Sequence, residues 1–260
     1  MKLTVFASGS TGNCALLESG NRRFLLDGGI SARRICQGLA RADVEPASLS
    51  GIFITHEHID HIRGLPVFLK KTPMAVFAPG AAADVICRSS PGVRAYMHTV
   101  TPGAAFSLGE LEVLPFPTSH DALESVGYRL ADADGSVFAL ATDTGCVTES
   151  MLSALTGADM AMIEANHDED MLRRGPYPPA LKRRILSETG HLSNADCARL
   201  ATYLARHGTK TVVLGHMSKQ NNLPALALET VGAALEGTGI RLFAAPELGF
   251  LEVDSEICCV

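Results

Sequence analysis

Between Thr55 and His61 the chain reads Thr-His-Glu-His-Ile-Asp-His. His56, His58, Asp60 and His61 place four metal-binding side chains at offsets 0, 2, 4 and 5. Neutral imidazoles with a carboxylate suit zinc or a similar divalent transition ion. The preceding run Gly51-Ile52-Phe53-Ile54 predicts a buried strand, which puts the ligands on the loop leaving its end. Such a loop allows His56 and His58 to face one ion and Asp60 and His61 another. The plain alternative is a solvated, histidine-rich loop, but this density of ligands after an apolar strand is more specific than a lone histidine.

Three further candidates stand singly. His120 follows Phe116-Pro117-Thr118-Ser119, Asp143 follows Ala141-Thr142, and His216 follows Leu214-Gly215. Each alone reads as an ordinary cap or core residue. Their shared position, where an apolar strand gives way to a polar turn, joins them to the first loop, because strand ends converging on one edge commonly build a site.

The elements that must position these residues follow from pattern. Strands are predicted at Val5-Phe6-Ala7, Ala15 to Glu18, Arg23 to Asp27, Ala75 to Ala78, Phe106 to Pro115 (two, around Leu108-Gly109-Glu110), Val126 to Leu130, Val137 to Ala141, Met160 to Ile163, Thr211 to Leu214, Arg241 to Ala245 and Phe250 to Val253. Asp134-Gly135 marks a hairpin. Ser31 N-caps a helix through about Arg41. Further helices are expected at Gly64–Lys71, Ala81–Arg88, Asn194–His207 and Pro224–Leu235. Ser8-Gly9-Ser10-Thr11-Gly12-Asn13 is a turn between strands that could also offer backbone N–H groups to an anion. Asn166–Ile185 holds charges and prolines with no strand pattern. The strands cluster in two groups, each with helices, which predicts two packed sheets with helices outside. The expected organisation is one domain over 1–253 and a tail over 254–260.

The bulk numbers exclude some classes. The net charge of −6 argues against a general polyanion binder, leaving room for a local basic patch. No apolar run approaches the roughly 20 residues that span a bilayer. The N-terminus reads as a first strand rather than a signal peptide. Seven cysteines, none in C-x-x-C spacing, fit reduced thiols in a cytoplasm.

The H-x-H-x-D-H loop, with His120, Asp143 and His216 behind it, resembles the metallo-β-lactamase-fold hydrolases. The segments Ser8–Asn13, Asp143-Thr144-Gly145, Glu164-Ala165-Asn166-His167-Asp168, Gly190-His191-Leu192-Ser193-Asn194 and Gly215–Asn222 are similar to the YycJ/WalJ-like branch. The resemblance implies an α/β fold, the four-layer αβ/βα sandwich. It implies that His56, His58 and His120 hold one metal, that Asp60, His61 and His216 hold a second, and that Asp143 bridges them. The ions would be zinc, manganese or iron, with a bridging hydroxide as nucleophile. Asp60 and Asp143 thereby count among the catalytic residues, and Asp27 would orient a ligand histidine.

The cage does not choose the substrate. Three features favour phosphodiesters. Asp143 is acidic where many zinc β-lactamases carry a cysteine, and Cys146 falls three residues late. His191 resembles the histidine of ribonuclease Z that touches the scissile phosphate, with Glu164 matching its carboxylate partner; a histidine so held can protonate a leaving oxygen. Its plain alternative is a surface residue near a helix cap. Finally, Arg173, Arg174, Lys182, Arg183 and Arg184 with Tyr177 would track a nucleic-acid backbone, unless they form a solvated helix face. His167 is a candidate substrate contact. So are Lys219, Asn221 and Asn222, for which helix capping is an equal alternative. His98 and His207 read as surface positions. The expected protein is a two-metal phosphodiesterase acting on nucleic acid, most simply DNA; the resemblance adds 5′-to-3′ exonuclease action. The alternatives are a thioesterase- or lactonase-type hydrolase and an inactive regulatory protein.

Overall fold

A computed structural model describes residues 1–255, and the expected tail, with Cys258 and Cys259, lies almost wholly outside the described residues. The chain folds as two compact units. The first comprises Met1–Ala104, Ala122–Val126 and the described part of Pro246–Val260; the second comprises Ala105–Asp121 and Gly127–Ala245.

The first unit holds strands β1 (Lys2–Ala7), β2 (Cys14–Ser19), β3 (Arg22–Leu26), β4 (Gly51–Phe53), β5 (Val76–Pro79), β6 (Met97–Val100) and β14 (Leu251–Asp254). They form one sheet in the order β14-β1-β2-β3-β4-β5-β6. Pairing is antiparallel from β14 to β3 and parallel from β3 to β6. Its helices are α1 (Ala32–Arg41), α2 (Ile59–Ile62), α3 (Leu65–Lys71) and α4 (Gly80–Ser89). The Ser31 hydroxyl accepts from the Arg34 N–H, the expected cap of α1. Ile35 and Leu39, one turn apart on α1, are buried in a core with Phe6, Leu16, Ile52 and Phe68. Each such side chain contributes roughly 1.5–3 kcal/mol by leaving water.

The second unit holds β7 (Phe106–Leu108), β8 (Leu111–Pro117), β9 (Val126–Ala131), β10 (Val137–Ala141), β11 (Met160–Glu164), β12 (Thr211–Gly215) and β13 (Arg241–Ala244). Their sheet order is β13-β12-β11-β10-β9-β8-β7, with β10 to β13 parallel. Helices α5 (Glu149–Leu155), α6 (Glu169–Arg174), α7 (Pro179–Ile185), α8 (Asn194–Arg206) and α9 (Pro224–Ala234) complete it. Its core gathers Met151, Leu155, Ile163, Leu200, Leu204 and Val212.

The expected strands and helices are present within a residue or two at their ends, except that β1 begins three residues earlier, at Lys2. Four segments differ. The metal-ligand loop is not loop throughout, because His58 is extended and Ile59–Ile62 then closes one helical turn carrying Asp60 and His61. Asn166–Ile185, which shows no strand pattern, forms α6 and α7; Asp168 caps α6 by accepting from the Met171 N–H, and Pro179 opens α7. Strand β6 and helix α5 are additions, β6 with two exposed central residues and α5 only seven residues long. His98 and His207 are exposed, as expected. Among the described residues no helix is long and apolar enough to cross a membrane.

Candidate metal centre

Four residues from the first unit meet at the ends of β3 and β4. The backbone turns sharply there: Asp27 has φ 59°. Among the described non-glycine residues only four adopt this left-handed region, and Asp143 (φ 56°) and His216 (φ 51°) are two others. Such conformations cost of order 1–3 kcal/mol each and cluster where a side chain must be aimed. Gly29 lies against the chain at Asp60, where a Cβ would stand 1.5 Å from the Asp60 carbonyl oxygen, so only glycine fits.

The Asp27 carboxylate organises this cluster. Its Oδ1 accepts from the Thr55 N–H at 2.9 Å, and its Oδ2 meets His61 Nδ1 at 2.8 Å. The Thr55 hydroxyl lies 3.1 Å from Asp27 Oδ2 and 3.0 Å from His56 Nδ1. Asp27, Thr55, His56 and His61 are all buried. Asp27 therefore orients a histidine, as the sequence leads one to expect, and Thr55, not among the expected site residues, extends that grip to His56. The His56 ring lies 4.6 Å from His58 and 4.1 Å from His61 between centroids. Asp60 Oδ2 is 3.6 Å from His61 Nε2. The Ser8–Asn13 turn closes on itself through Gly9 N–H to Asn13 Oδ1 at 2.8 Å, and Asn13 Nδ2 sits 3.0 Å from His61 Nε2. Its use is thus to bring an amide to the cluster.

In the second unit, His120, Asp143, Glu164, His191 and His216 come from the ends of β8, β10 and β11, the loop before α8, and the end of β12. Asp143 Oδ1 lies 3.4 Å from His216 Nε2 and 3.7 Å from His120 Nε2. Glu164 is fully buried. Its Oε1 meets His191 Nδ1 at 2.8 Å and His216 Nδ1 at 2.9 Å. Its Oε2 accepts from the N–H groups of Thr144 at 2.9 Å and Leu192 at 3.3 Å. Burial by itself pushes this carboxyl up, but the facing imidazoles of His191 and His216 outweigh it and hold Glu164 well below the usual carboxylate range. His120 Nδ1 faces the Gly190 carbonyl at 3.2 Å. Burial lowers the His120 pKa, favouring the neutral ring a metal requires.

The donor set fits divalent ions. In His216 and His120 the Nδ1 atom is engaged by Glu164 or a backbone carbonyl, which fixes the tautomer and leaves Nε2 as the ligand atom; in His61 Nδ1 is engaged by Asp27, and Nε2, the remaining ligand atom, faces the Asn13 amide. Two ligands on a tetrahedral ion at about 2.0–2.1 Å stand about 3.3 Å apart, close to the 3.4 Å between Asp143 and His216.

The other expected site residues divide. His167 is buried, and neither ring nitrogen has a hydrogen-bond partner; burial lowers its pKa. The Asn222 amide donates to the Ala165 carbonyl and exchanges hydrogen bonds of 2.9 and 2.8 Å with Asn194. Its Oδ1 also accepts from the Leu223 N–H, so its side chain is bonded within the framework. The Asn221 amide N–H₂ donates to Ser218 Oγ at 3.2 Å, and its Oδ1 is buried without a partner. Lys219 is exposed, and Tyr177 is half-buried between α6 and α7. The basic run is largely spent: Arg173 pairs with Glu169, Arg174 with Asp170 and Arg184 with Asp121, and the Lys182 ammonium donates to the Arg173 carbonyl. Unread in the sequence were the Glu164–His216 bond and Asn166, whose amide donates to the His216 carbonyl at 2.8 Å.

Residues 22–217 match the family model described as "Beta-lactamase superfamily domain". The exodeoxyribonuclease WalJ of Streptococcus pneumoniae serotype 2 (strain D39 / NCTC 7466) is 39% identical over 233 residues, covering 88% of this chain and 86% of that protein. The exodeoxyribonuclease YycJ of Bacillus anthracis is 36% identical over 251 residues, covering 95% and 94%. Among solved structures, the metallo-β-lactamase fold protein YhfI from Bacillus subtilis superposes with a TM-score of 0.74 over 97% of this chain and 99% of that one. At 15% identity that likeness shows the fold alone.

Proposed function

The chain belongs to the β-lactamase superfamily, and from that premise we propose that it is a metal-dependent phosphodiesterase that degrades DNA as a 5′-to-3′ exonuclease. His56, His58 and His120 would hold one ion, Asp60, His61 and His216 a second, and Asp143 would bridge them. Bound divalent ions of zinc, manganese or iron supply Lewis acidity and lower the pKa of water. The relatives named exodeoxyribonucleases support the substrate class.

One observation carries the reading: a single buried carboxylate oxygen, Glu164 Oε1, engages both His191 and His216. It ties a proposed ligand to a histidine outside the proposed ligand set. With Nδ1 held by Glu164, His191 presents Nε2 as the proton donor to the leaving oxygen of a phosphodiester. A thioester leaves as a thiolate and has little need of that proton. His167 is proposed to line the substrate path. The reading includes a cytoplasmic location.

The test is a direct assay of metal-loaded protein on 5′-labelled single- and double-stranded DNA beside a panel of thioesters and lactones. Short 5′-terminal products that vanish on chelation are expected. Turnover confined to the thioester or lactone panel would show a small-molecule hydrolase instead.

A further inference from the structure

α1 and α3 both leave the candidate metal centre of the first unit. α1 begins at Ala32, just beyond Asp27, and α3 at Leu65, just beyond His61. Neither helix contains an acidic residue, yet together with Arg63 they carry Arg33, Arg34, Arg41, Lys70 and Lys71, all exposed. None of these six cations forms an ion pair among the described residues. Arg63 donates to the Thr11 carbonyl, and the Arg41 guanidinium lies 4.3 Å over the Phe250 ring. A groove of about 540 Å³ runs between the helices, lined by Arg33, Gln37, Val67, Phe68 and Lys71. A second, of about 200 Å³, flanks α1 on the side of Arg34, Arg41 and Phe250. No acidic side chain lines either.

This density is unexpected on a chain of net charge −6. Six unpaired cations repel one another, and exposed charges of this kind are ordinarily interspersed with acids, as on α6, where Arg173 and Arg174 each have a carboxylate one turn away. A polyanion relieves the repulsion and gains from release of its own counterions. α1 is about 15 Å long, the length of duplex axis along which one strand carries about four phosphates, one per roughly 3.4 Å of axis. Exposed Val67 between the cations offers an apolar contact to sugar.

We infer that the α1–α3 face is the track for the phosphate backbone of the DNA strand, holding nucleotides outside the reacting bond. The inference rests on the proposed nuclease function. It assigns the backbone contact to this face rather than to the Arg173–Arg184 segment, whose charges are largely paired.

The test compares metal-loaded wild type with the triple variant Arg33→Glu, Arg34→Glu, Lys71→Glu, and with a control, Arg173→Glu, Arg174→Glu, Arg183→Glu. Each is assayed on single-stranded DNA of about 20 nucleotides and on bis(p-nitrophenyl) phosphate, too small to reach the track. For the first variant, KM for DNA should rise tenfold or more at low salt. The slope of log KM against log salt should fall by about two, from 0.7 per neutralised phosphate. Turnover of the small diester should stay at the wild-type rate, which also reports that the protein is folded. The control should change KM for DNA less than threefold. Wild-type KM for DNA in the first variant, or a larger loss in the control, overturns the inference and leaves the nuclease reading intact. A wild type that cleaves the diester but no DNA overturns both. Where the first variant fails to fold, the single changes Arg33→Glu and Lys71→Glu decide by the same readouts.

Discussion

Asp27 in the first unit and Glu164 in the second do the same kind of work with different reach. Each is a buried carboxylate at a strand end that accepts from backbone N–H groups and from imidazole Nδ1. Asp27 grips one imidazole, and a threonine hydroxyl relays its influence to another. Glu164 grips two imidazoles with one oxygen, and those two belong to different proposed roles. The first unit therefore spreads orientation over a carboxylate, a hydroxyl and a tight run of sequence. The second concentrates it in one residue. Damage to Glu164 should remove ligand geometry and proton donation together, whereas damage to Asp27 should loosen only a metal site.

The largest expected effect follows from that concentration. Glu164→Gln keeps the shape but replaces a charge-assisted acceptor with an amide that must turn a donor toward one of its present donors. DNA cleavage should fall about 10²–10⁴-fold in kcat, with loss of metal from the purified protein. A variant that keeps full metal content and loses less than tenfold in kcat would show the two roles to be independent.

Asp27→Asn should cost less. Removing a partner that orients a metal-binding histidine typically weakens metal affinity about 10–100-fold. Saturating metal should then restore most of the activity, a rescue not expected of Glu164→Gln. Titration of the apoprotein with zinc or manganese, followed by activity, separates the two; unrescued activity in Asp27→Asn would erase the contrast.

Asp159 sets the lower bound. It also takes a backbone N–H, from Val137 at 3.0 Å, and a cation, Lys210 at 2.8 Å, but at the surface and away from the histidines. Partial burial raises its pKa; the Lys210 and Val137 hydrogen bonds more than offset this and leave it below the ordinary value of 3.8. A depressed carboxyl contributes stability above its unfolded pKa and loses it as pH falls through the folded value. Asp159→Asn should therefore cost at most about 1 kcal/mol at pH 7, a deficit that shrinks below pH 4, with cleavage unchanged. Thermal unfolding at pH 7 and pH 3 checks the sign; a deficit that grows in acid contradicts it.

The same comparison explains what could be read from sequence. His56, His58, Asp60 and His61 are legible because their chemistry is local, six residues on one strand exit. His120, Asp143 and His216 are legible only as a type of position, and the resemblance to a known family joins them. The Glu164–His216 bond spans 52 residues of chain, and no local pattern announces it. The pairing within the basic run has a local cause: Glu169 and Asp170 stand one helical turn before Arg173 and Arg174, where ion pairs form readily. The solvated helix face that the sequence allows for this run is the arrangement in which those pairs form. The cations of α1 drew no notice because they lie on the solvent side of a correctly expected helix.

The central claim is that His191, held by Glu164, protonates the leaving oxygen of a phosphodiester. His191→Ala, assayed at full metal content on DNA and on bis(p-nitrophenyl) phosphate, tests it most directly, because p-nitrophenolate departs as a stable anion and needs no proton. DNA cleavage should fall at least 10²-fold while the activated diester is cleaved at near the wild-type rate. Equal losses on both substrates, or normal cleavage of DNA, would contradict the assignment.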